Sequence, residues 1–194
     1  APVYGGQLPQ LKEALFTNFK GDHTPCILMS AYGNRDFDDT LAQMKDILEA
    51  RGFYCIGAIA PIIPHIYSEK LGADRPNAED EKVFRQFAVT VKQRLEDGLE
   101  ASLMIPGNPK PEPKTMKSVV HYFDETKCKG CQTCVQKCPT SAIDKDTYQI
   151  KEELCVGCLR CERVCPSGAR SSDYESVKKY LEDNFCHPKE VRWY

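Results

Sequence analysis

The sequence predicts two consecutive domains, an α/β domain with a parallel sheet and a smaller α+β domain with a pseudo-twofold axis. Strand-like and helix-like segments alternate over residues 1–101, and this order favours parallel strands with helices on the sheet faces. A segment with four prolines between residues 106 and 113 follows. Two cysteine runs of identical spacing then lie 27 residues apart in residues 123–170, which indicates an internal duplication.

Composition and charge exclude several classes of protein before any motif is considered. The chain has 194 residues, of which 41% are hydrophobic and 28% charged, as expected for a chain that folds around a core. Its 26 Lys and Arg against 28 Asp and Glu leave no positive excess for a nucleic-acid partner. The longest apolar stretch, residues 55–64, contains two prolines and is shorter than the roughly 20 residues of a membrane span. Since no secretory signal opens the chain, we expect a cytoplasmic protein.

The elements of the first region are predicted in order from apolar runs, caps and breakers. Residues 25–30 form a short apolar run, typical of a buried strand. A helix is expected over residues 36–51, since its apolar residues fall at helical spacing before a glycine. Residues 53–60 return to a strand that ends at proline. A second helix is expected from Ala78 to Asp97, with Asn77 as its cap. Its buried stripe comprises Phe84, Phe87, Val91 and Leu95.

Proline content and cysteine density set the predicted domain boundaries. Residues 1–101 are expected to form the α/β domain, and residues 123–170 the duplicated one. Residues 102–122 are proline-rich, which favours a stiff, extended linker; the alternative is a rigid surface loop of one compact domain. Residues 171–194 are expected to form a C-terminal helix, over about 173–184, and a tail.

The cysteines indicate metal binding. There are eleven, an odd number, and eight of them crowd into residues 128–165, whereas a disulfide framework usually has an even number spread through a short secreted chain. Both runs have the spacing C-x2-C-x2-C-x3-C-P, and Gly130 matches Gly157 at the same offset. Of the three remaining cysteines, Cys26 and Cys55 lie in apolar strands and are expected to be small buried hydrophobes, whereas Cys186 is expected to be a feature of the tail.

The spacing within each run suits a cube of iron and sulfide. Three thiolates two residues apart can wrap a loop around one cube, while the cysteine before proline ligates the other cube. The glycines allow the backbone to approach the inorganic sulfides. Two [4Fe–4S] clusters with crossed ligation are therefore predicted, and structural zinc is the alternative. One cluster would be bound by Cys128, Cys131, Cys134 and Cys165, and the other by Cys155, Cys158, Cys161 and Cys138.

Residues 124–170, with these two motifs, resemble a bacterial-type two-cluster ferredoxin module. The resemblance implies single-electron transfer at the low end of the roughly −700 to +450 mV that iron–sulfur clusters span. It also implies redox proteins as partners. No ligand-like residues adjoin His23, His65 or His121 in the sequence, so no metal role is expected for them.

Two loops of the first region resemble a second family. Residues 2–6 (PVYGG) and 31–39 (AYGNRDFDD) are similar to the second and third flavin-contacting loops of a flavodoxin-like domain, and residues 72–77 fit proteins in which such a domain is fused to a two-cluster ferredoxin. The alternative is that both are ordinary glycine-containing turns. The resemblance implies that FMN would contact Val3, Tyr4, Gly5, Gly6, Tyr32, Gly33, Asn34 and Arg35.

The phosphate-binding loop and the first half of a flavodoxin-like domain have no counterpart in this sequence. The expected fold is therefore an incomplete flavodoxin-like parallel α/β domain followed by a pseudo-twofold two-cluster ferredoxin domain. Three explanations stay open. Residues outside this sequence complete the sheet, another chain completes it, or the domain is reduced and binds no flavin.

The predicted function is that of an intracellular electron-transfer protein carrying single electrons on two [4Fe–4S] clusters, from an anaerobic or low-oxygen setting. A bound flavin would couple this traffic to two-electron chemistry. The alternatives are a flavin and iron–sulfur oxidoreductase with its own small-molecule substrate, and a zinc-stabilised interaction module. No nucleophile–base arrangement supports hydrolysis or group transfer.

Overall fold

The computed structural model of the chain describes residues 1–9, 15–114 and 119–194. The chain divides into two compact units: the first comprises Ala1–Lys114 and Leu181–Tyr194, and the second Thr115–Tyr180. The described strands are β1 (Thr24–Met29), β2 (Phe53–Ala60), β3 (Val120–Phe123), β4 (Arg170–Asp173) and β5 (Arg192–Trp193). The described helices of four or more residues are α1 (Thr40–Glu49), α2 (Ala78–Glu96), α3 (Thr133–Gln136), α4 (Arg160–Arg163) and α5 (Glu175–Phe185).

The sheet of the first unit has the order β1-β2-β5. β1 and β2 pair in parallel, which confirms the predicted parallel pairing. β5, which sequence reasoning missed, pairs antiparallel with β2 through Ile59 and Trp193. Within the described residues, residues 1–3 bond to the end of β1 and the loop after it: the Ala1 ammonium donates to the Met29 carbonyl (2.6 Å), and the Val3 N–H donates to the Ala31 carbonyl (3.1 Å). Completion of the sheet by another chain or by further residues stays a prediction.

The prediction that residues 25–30 form a buried strand was wrong for one face of β1. Ile27 and Met29 are 51% and 54% exposed, because they lie on the strand at the edge of the sheet. Cys26 and Cys55 lie opposite each other in the β1–β2 register. Cys55 is buried and Cys26 packs against the same apolar cluster, which confirms their prediction as core side chains.

Of the two helices predicted in the first region, only α2 begins at its predicted residue. α1 begins at Thr40, four residues later than expected, since Asp36 binds the backbone N–H of Phe37 (2.8 Å) and holds a turn there. α2 begins where predicted. Asn77 caps the N–H groups of Glu79 and Asp80, and the Asp80 carboxylate returns to the Asn77 N–H, forming a capping box.

The apolar stripe of α2 covers β2 only in part. Phe87 and Val91 are buried in one cluster with Ile56 and Ile59, and Phe84 packs against it. Leu95 is 54% exposed, which corrects its assignment to the stripe. In the last turn, the Arg94 guanidinium donates to the carbonyls of Ile56 (3.0 Å) and Tyr194 (3.1 Å).

The described part of the proline-rich segment is attached to the first unit. Ser102 Oγ accepts from the Cys55 N–H (2.7 Å), and the Asn108 N–H donates to the Asp39 carboxylate (2.8 Å). The carbonyl of Glu112 accepts from the side chain of Gln7 (2.9 Å). These bonds fit the alternative of a rigid surface loop. Residues 115–118 of the predicted linker lie outside the described residues.

The second unit repeats itself with the 27-residue offset seen in the sequence. α3 and α4 are exact counterparts at this offset. β3 and β4 pair antiparallel, with Phe123 opposite Arg170, and the bridge between Ile143 and Ile150 is the counterpart of that pair. The backbone therefore has the pseudo-twofold relation that the duplication predicted.

In the ranges that the structure describes, no helix combines the length and the apolar character that a membrane crossing requires.

Candidate metal centres

The eight motif cysteines lie around two cavities of the second unit. One cavity, partly open to solvent, is lined by Cys128, Cys131, Cys134 and Cys165. A second cavity, also partly open to solvent, is lined by Cys138, Cys155, Cys158 and Cys161. Each cavity thus joins three closely spaced cysteines of one motif to the last cysteine of the other motif.

The turns between the cysteines are held by left-handed backbone. Gly130 and Gly157 have φ of 65° and 63°, and Gln132 and Leu159 have φ of 57° and 54°. Positive φ is unstrained in glycine but not in other residues. The first three cysteines of each motif therefore line one concave loop. The Gly130 N–H also lies 3.5 Å from the Cys128 sulfur.

The cysteines that cross between the motifs have polar partners of their own. The Ala142 N–H donates to Cys138 Sγ (3.3 Å). Burial raises the pKa of the Cys138 thiol, but hydrogen bonds from Thr140 and from backbone N–H groups outweigh it, so that the pKa lies below its ordinary value. The same balance, with Ser167 in place of Thr140, lowers the pKa of Cys165. A lowered pKa favours the thiolate, which is the form that binds metal.

The more buried thiols differ from these. Burial raises the pKa of Cys161 to about 11, and it also raises the pKa of Cys155. A bound metal deprotonates a coordinating thiol by its own charge, so these two sites depend on the metal for their ligand form.

The arrangement of the side chains bears on the kind of metal. Among the described residues, no three side chains of His, Cys, Asp or Glu converge closely enough to hold a single metal ion. Structural zinc needs four ligands about 2.0–2.3 Å from one point. The eight motif cysteines line the two cavities in groups of four, which is the ligand number of two [4Fe–4S] clusters.

His121, for which no metal role was expected, lies beside a motif cysteine. Its Nε2 is 3.5 Å from Cys155 Sγ, and its Nδ1 is 2.9 Å from Ser172 Oγ. Sequence reasoning missed this contact, because 34 residues separate His121 from Cys155. Burial lowers the pKa of His121. One signal in the sequence could have indicated this contact. His121 lies on a strand that ends shortly before the first cysteine motif.

Comparison with known families agrees with this geometry. Residues 127–169 match the family model of the 4Fe-4S dicluster domain. The second unit therefore carries a ferredoxin-type dicluster domain, whose cysteines bind two [4Fe–4S] clusters and whose chemistry is electron transfer. The match covers this domain and does not extend to the α/β unit. A search of curated proteins found no significant match to the chain.

The loops that resemble flavin-contacting loops lie side by side in the first unit. The Asp39 N–H donates to the Gly6 carbonyl (2.9 Å), and the Lys114 ammonium donates to the Gly5 carbonyl (2.9 Å). Arg35 forms an ion pair with Asp38 beside Gly6. Residues 31–39 directly follow β1, so both loops lie at the carboxyl edge of the parallel strands.

Residues in the middle of the second loop, 31–39, contact other parts of the first unit. Tyr32 is 2% exposed, and its ring packs on Phe37 with centroids 5.6 Å apart. The Asn34 amide donates to the carbonyls of Phe185 (2.7 Å) and His187 (2.9 Å). These contacts fit the alternative of a structural turn. Tyr4, in the other loop, is half-buried.

Proposed function

We propose that this protein is an electron carrier in which each [4Fe–4S] cluster is bound by three cysteines of one motif and the last cysteine of the other. The observation that carries the proposal is the lining of the two cavities, each of which combines three neighbouring cysteines with one distant cysteine. Each cluster, when bound, takes up and releases one electron. No proton transfer by a protein side chain is required.

Apolar residues form part of the lining of both cavities. Ala142, Ile143, Leu159 and Ala169 are buried and line one cavity or the other. A low-dielectric lining and backbone N–H···S bonds are the means by which a protein sets a cluster potential.

Cys131 is the exposed cysteine of the eight within the described residues. We propose that electrons pass to and from redox partner proteins at the rim that it forms with Lys129 and Gln132. This rim is where a partner could approach the cluster most closely without displacing protein atoms.

The test is metal analysis and reduction of the full chain, assembled with iron and sulfide without oxygen. We expect about eight irons and eight sulfides per chain, the content of two [4Fe–4S] clusters. Visible absorption should bleach on reduction and return on reoxidation by a one-electron acceptor. Stoichiometric zinc, or absorption that does not respond to reductant, would contradict the proposal.

We also propose that the adjoining loops, residues 2–6 and 31–39, form a ligand site that binds FMN. The support is their position at the carboxyl edge of parallel strands, where open α/β sheets bind ligands, together with their resemblance to flavin-contacting loops. Because Tyr32 is buried, we assign the stacking contact to Tyr4, the half-buried tyrosine of the other loop. A bound FMN would couple the one-electron transfer of the clusters to two-electron chemistry.

Replacing Tyr4 by alanine is expected to weaken FMN binding about tenfold, the effect of losing one aromatic stacking contact of about 1.4 kcal/mol. The measurement is FMN content after anaerobic purification, followed by fluorescence titration of the flavin. Tyr122→Ala, an exposed tyrosine of the second unit, is the matched control and should change nothing. Failure of the unaltered chain to bind FMN would refute the flavin site and leave the electron-carrier proposal intact. Turnover of a small molecule without a protein partner would instead favour the oxidoreductase alternative.

A further inference from the structure

We propose that His121 donates an N–H···S hydrogen bond to Cys155 and thereby raises the reduction potential of the one cluster that Cys155 binds, with Ser172 positioning the ring. The inference rests on the ligand assignment proposed above. It adds to that assignment a residue that is not a ligand and that acts on one cluster only.

The geometry places His121 between a hydroxyl and a sulfur. His121 on β3 lies opposite Ser172 on β4 in the antiparallel register, so that Nδ1 and Ser172 Oγ are 2.9 Å apart. The opposite edge of the ring brings Nε2 to 3.5 Å from Cys155 Sγ. His121 also lines the cavity that contains Cys155.

The chemistry of the two partners decides which ring nitrogen carries the hydrogen. With hydrogen on Nδ1 alone, the Nε2 lone pair would face an anionic thiolate, which is repulsive. With hydrogen on Nε2, the ring donates to sulfur and the Ser172 hydroxyl donates to Nδ1, so every group has a partner. A doubly protonated ring would also donate from Nε2, with Ser172 accepting, so the donor to sulfur is present in either charge state.

A donor at this sulfur acts on the electron affinity of the cluster. Reduction adds one electron and one negative charge, and an N–H bond to a ligand sulfur stabilises the more negative state. The potential of that cluster therefore rises, while the ring keeps its proton.

The pseudo-twofold relation shows that this arrangement is confined to one centre. At the 27-residue offset, the counterpart of His121 is Tyr148 and that of Ser172 is Lys145. Tyr148 lines the other cavity and packs on Phe123 with centroids 5.8 Å apart. No hydrogen bond joins the Tyr148 side chain to a cysteine within the described ranges. The Thr133 hydroxyl does lie 3.4 Å from Cys131 in that centre, but both residues are at the exposed rim, where water competes for the same bonds.

The test is redox titration of the full chain with both clusters bound, followed by electron paramagnetic resonance and visible absorption. We expect His121→Phe to lower the potential of one cluster by an amount that changes its reduced-to-oxidised ratio about tenfold, or ~59 mV for one electron. Ser172→Ala should shift the same cluster in the same direction by less. His121→Gln, whose side-chain amide can place a donor near the position of Nε2, should restore most of the shift. Tyr122→Phe, at an exposed residue next to His121 on the same strand, should leave both potentials unchanged.

Two results would overturn the inference. One is an unchanged pair of potentials in His121→Phe with full iron content, and the other is an equal shift of both clusters, which indicates a general structural effect. If His121→Phe loses iron, the potentials of Ser172→Ala and His121→Gln decide whether the inference holds. Neither of these two variants places an apolar ring beside a cluster ligand. Absence of two [4Fe–4S] clusters in the unaltered chain would instead refute the proposed function.

Discussion

Replacing Cys165 by alanine is expected to damage the cluster whose other ligands are Cys128, Cys131 and Cys134, some thirty residues earlier. Cys165 lines the cavity of those three cysteines and not the cavity of its own motif. Loss of one ligand exposes an iron, so iron content should fall from about eight per chain by up to half. Anaerobic alkylation followed by peptide mapping identifies the thiols that are released.

The reciprocal variant and a matched control sharpen this result. Cys138→Ala should release thiols of the second motif, whereas Cys186→Ala should leave the iron content unchanged, since Cys186 is an exposed cysteine outside both motifs. Labelling of Cys155, Cys158 and Cys161 in the Cys165→Ala protein would show that ligation is local and that the crossed assignment is wrong.

Replacing Asp80 by alanine is expected to destabilise the first unit by about 3–5 kcal/mol, the usual cost of removing one partner of a buried ion pair. The side chains of Asp80 and Arg75 are 4% and 12% exposed, so the variant would leave a guanidinium without its counter-charge. It would also remove half of the capping box of α2. Trp193, the single tryptophan of the chain, lies in β5 and reports unfolding of this unit by fluorescence.

A surface pair on the same helix is the control for Asp80. Glu79 and Lys82 form an ion pair with side chains 77% and 70% exposed, so Glu79→Ala should cost at most about 1 kcal/mol. A similar loss for Asp80→Ala, below about 1 kcal/mol, would show that the buried pair contributes little.

The Asp80–Arg75 pair also gives the unfolding free energy a dependence on pH. Burial raises the pKa of Asp80, but Arg75 and the Asn77 N–H outweigh it and hold the pKa below its ordinary value. A lowered folded pKa adds stability above the unfolded value of about 3.9, and this stability is lost as the pH falls through the folded pKa. Asp80→Asn should flatten the dependence on pH in that window, as measured by denaturant unfolding.

Local signals accounted for what the sequence predicted well. β2 was predicted with its observed bounds because Gly52 and Pro61 flank an apolar run, and α2 was predicted from its cap at Asn77. The two [4Fe–4S] clusters followed from cysteine spacing, since a repeated ligand pattern carries its chemistry without reference to the rest of the fold.

The features that the sequence did not predict depend on contacts between residues far apart along the chain. β5 is two residues long and has no periodicity to detect, yet it pairs with β2. The contact of His121 with Cys155 joins residues 34 apart in the sequence. Tyr32 was assigned to a ligand-contacting loop by resemblance, but its burial depends on Phe37 and on the return of the C-terminal residues, which no local pattern encodes.

The division of the first unit into Ala1–Lys114 and Leu181–Tyr194 has a consequence for biosynthesis. A ribosome makes the chain from its amino end, so β2 emerges well over a hundred residues before its partner β5. The cluster-binding unit is complete before the sheet of the first unit can close. The α/β unit therefore starts earlier along the chain than the cluster-binding unit, but its sheet can gain β5 only after all eight cluster cysteines have been translated.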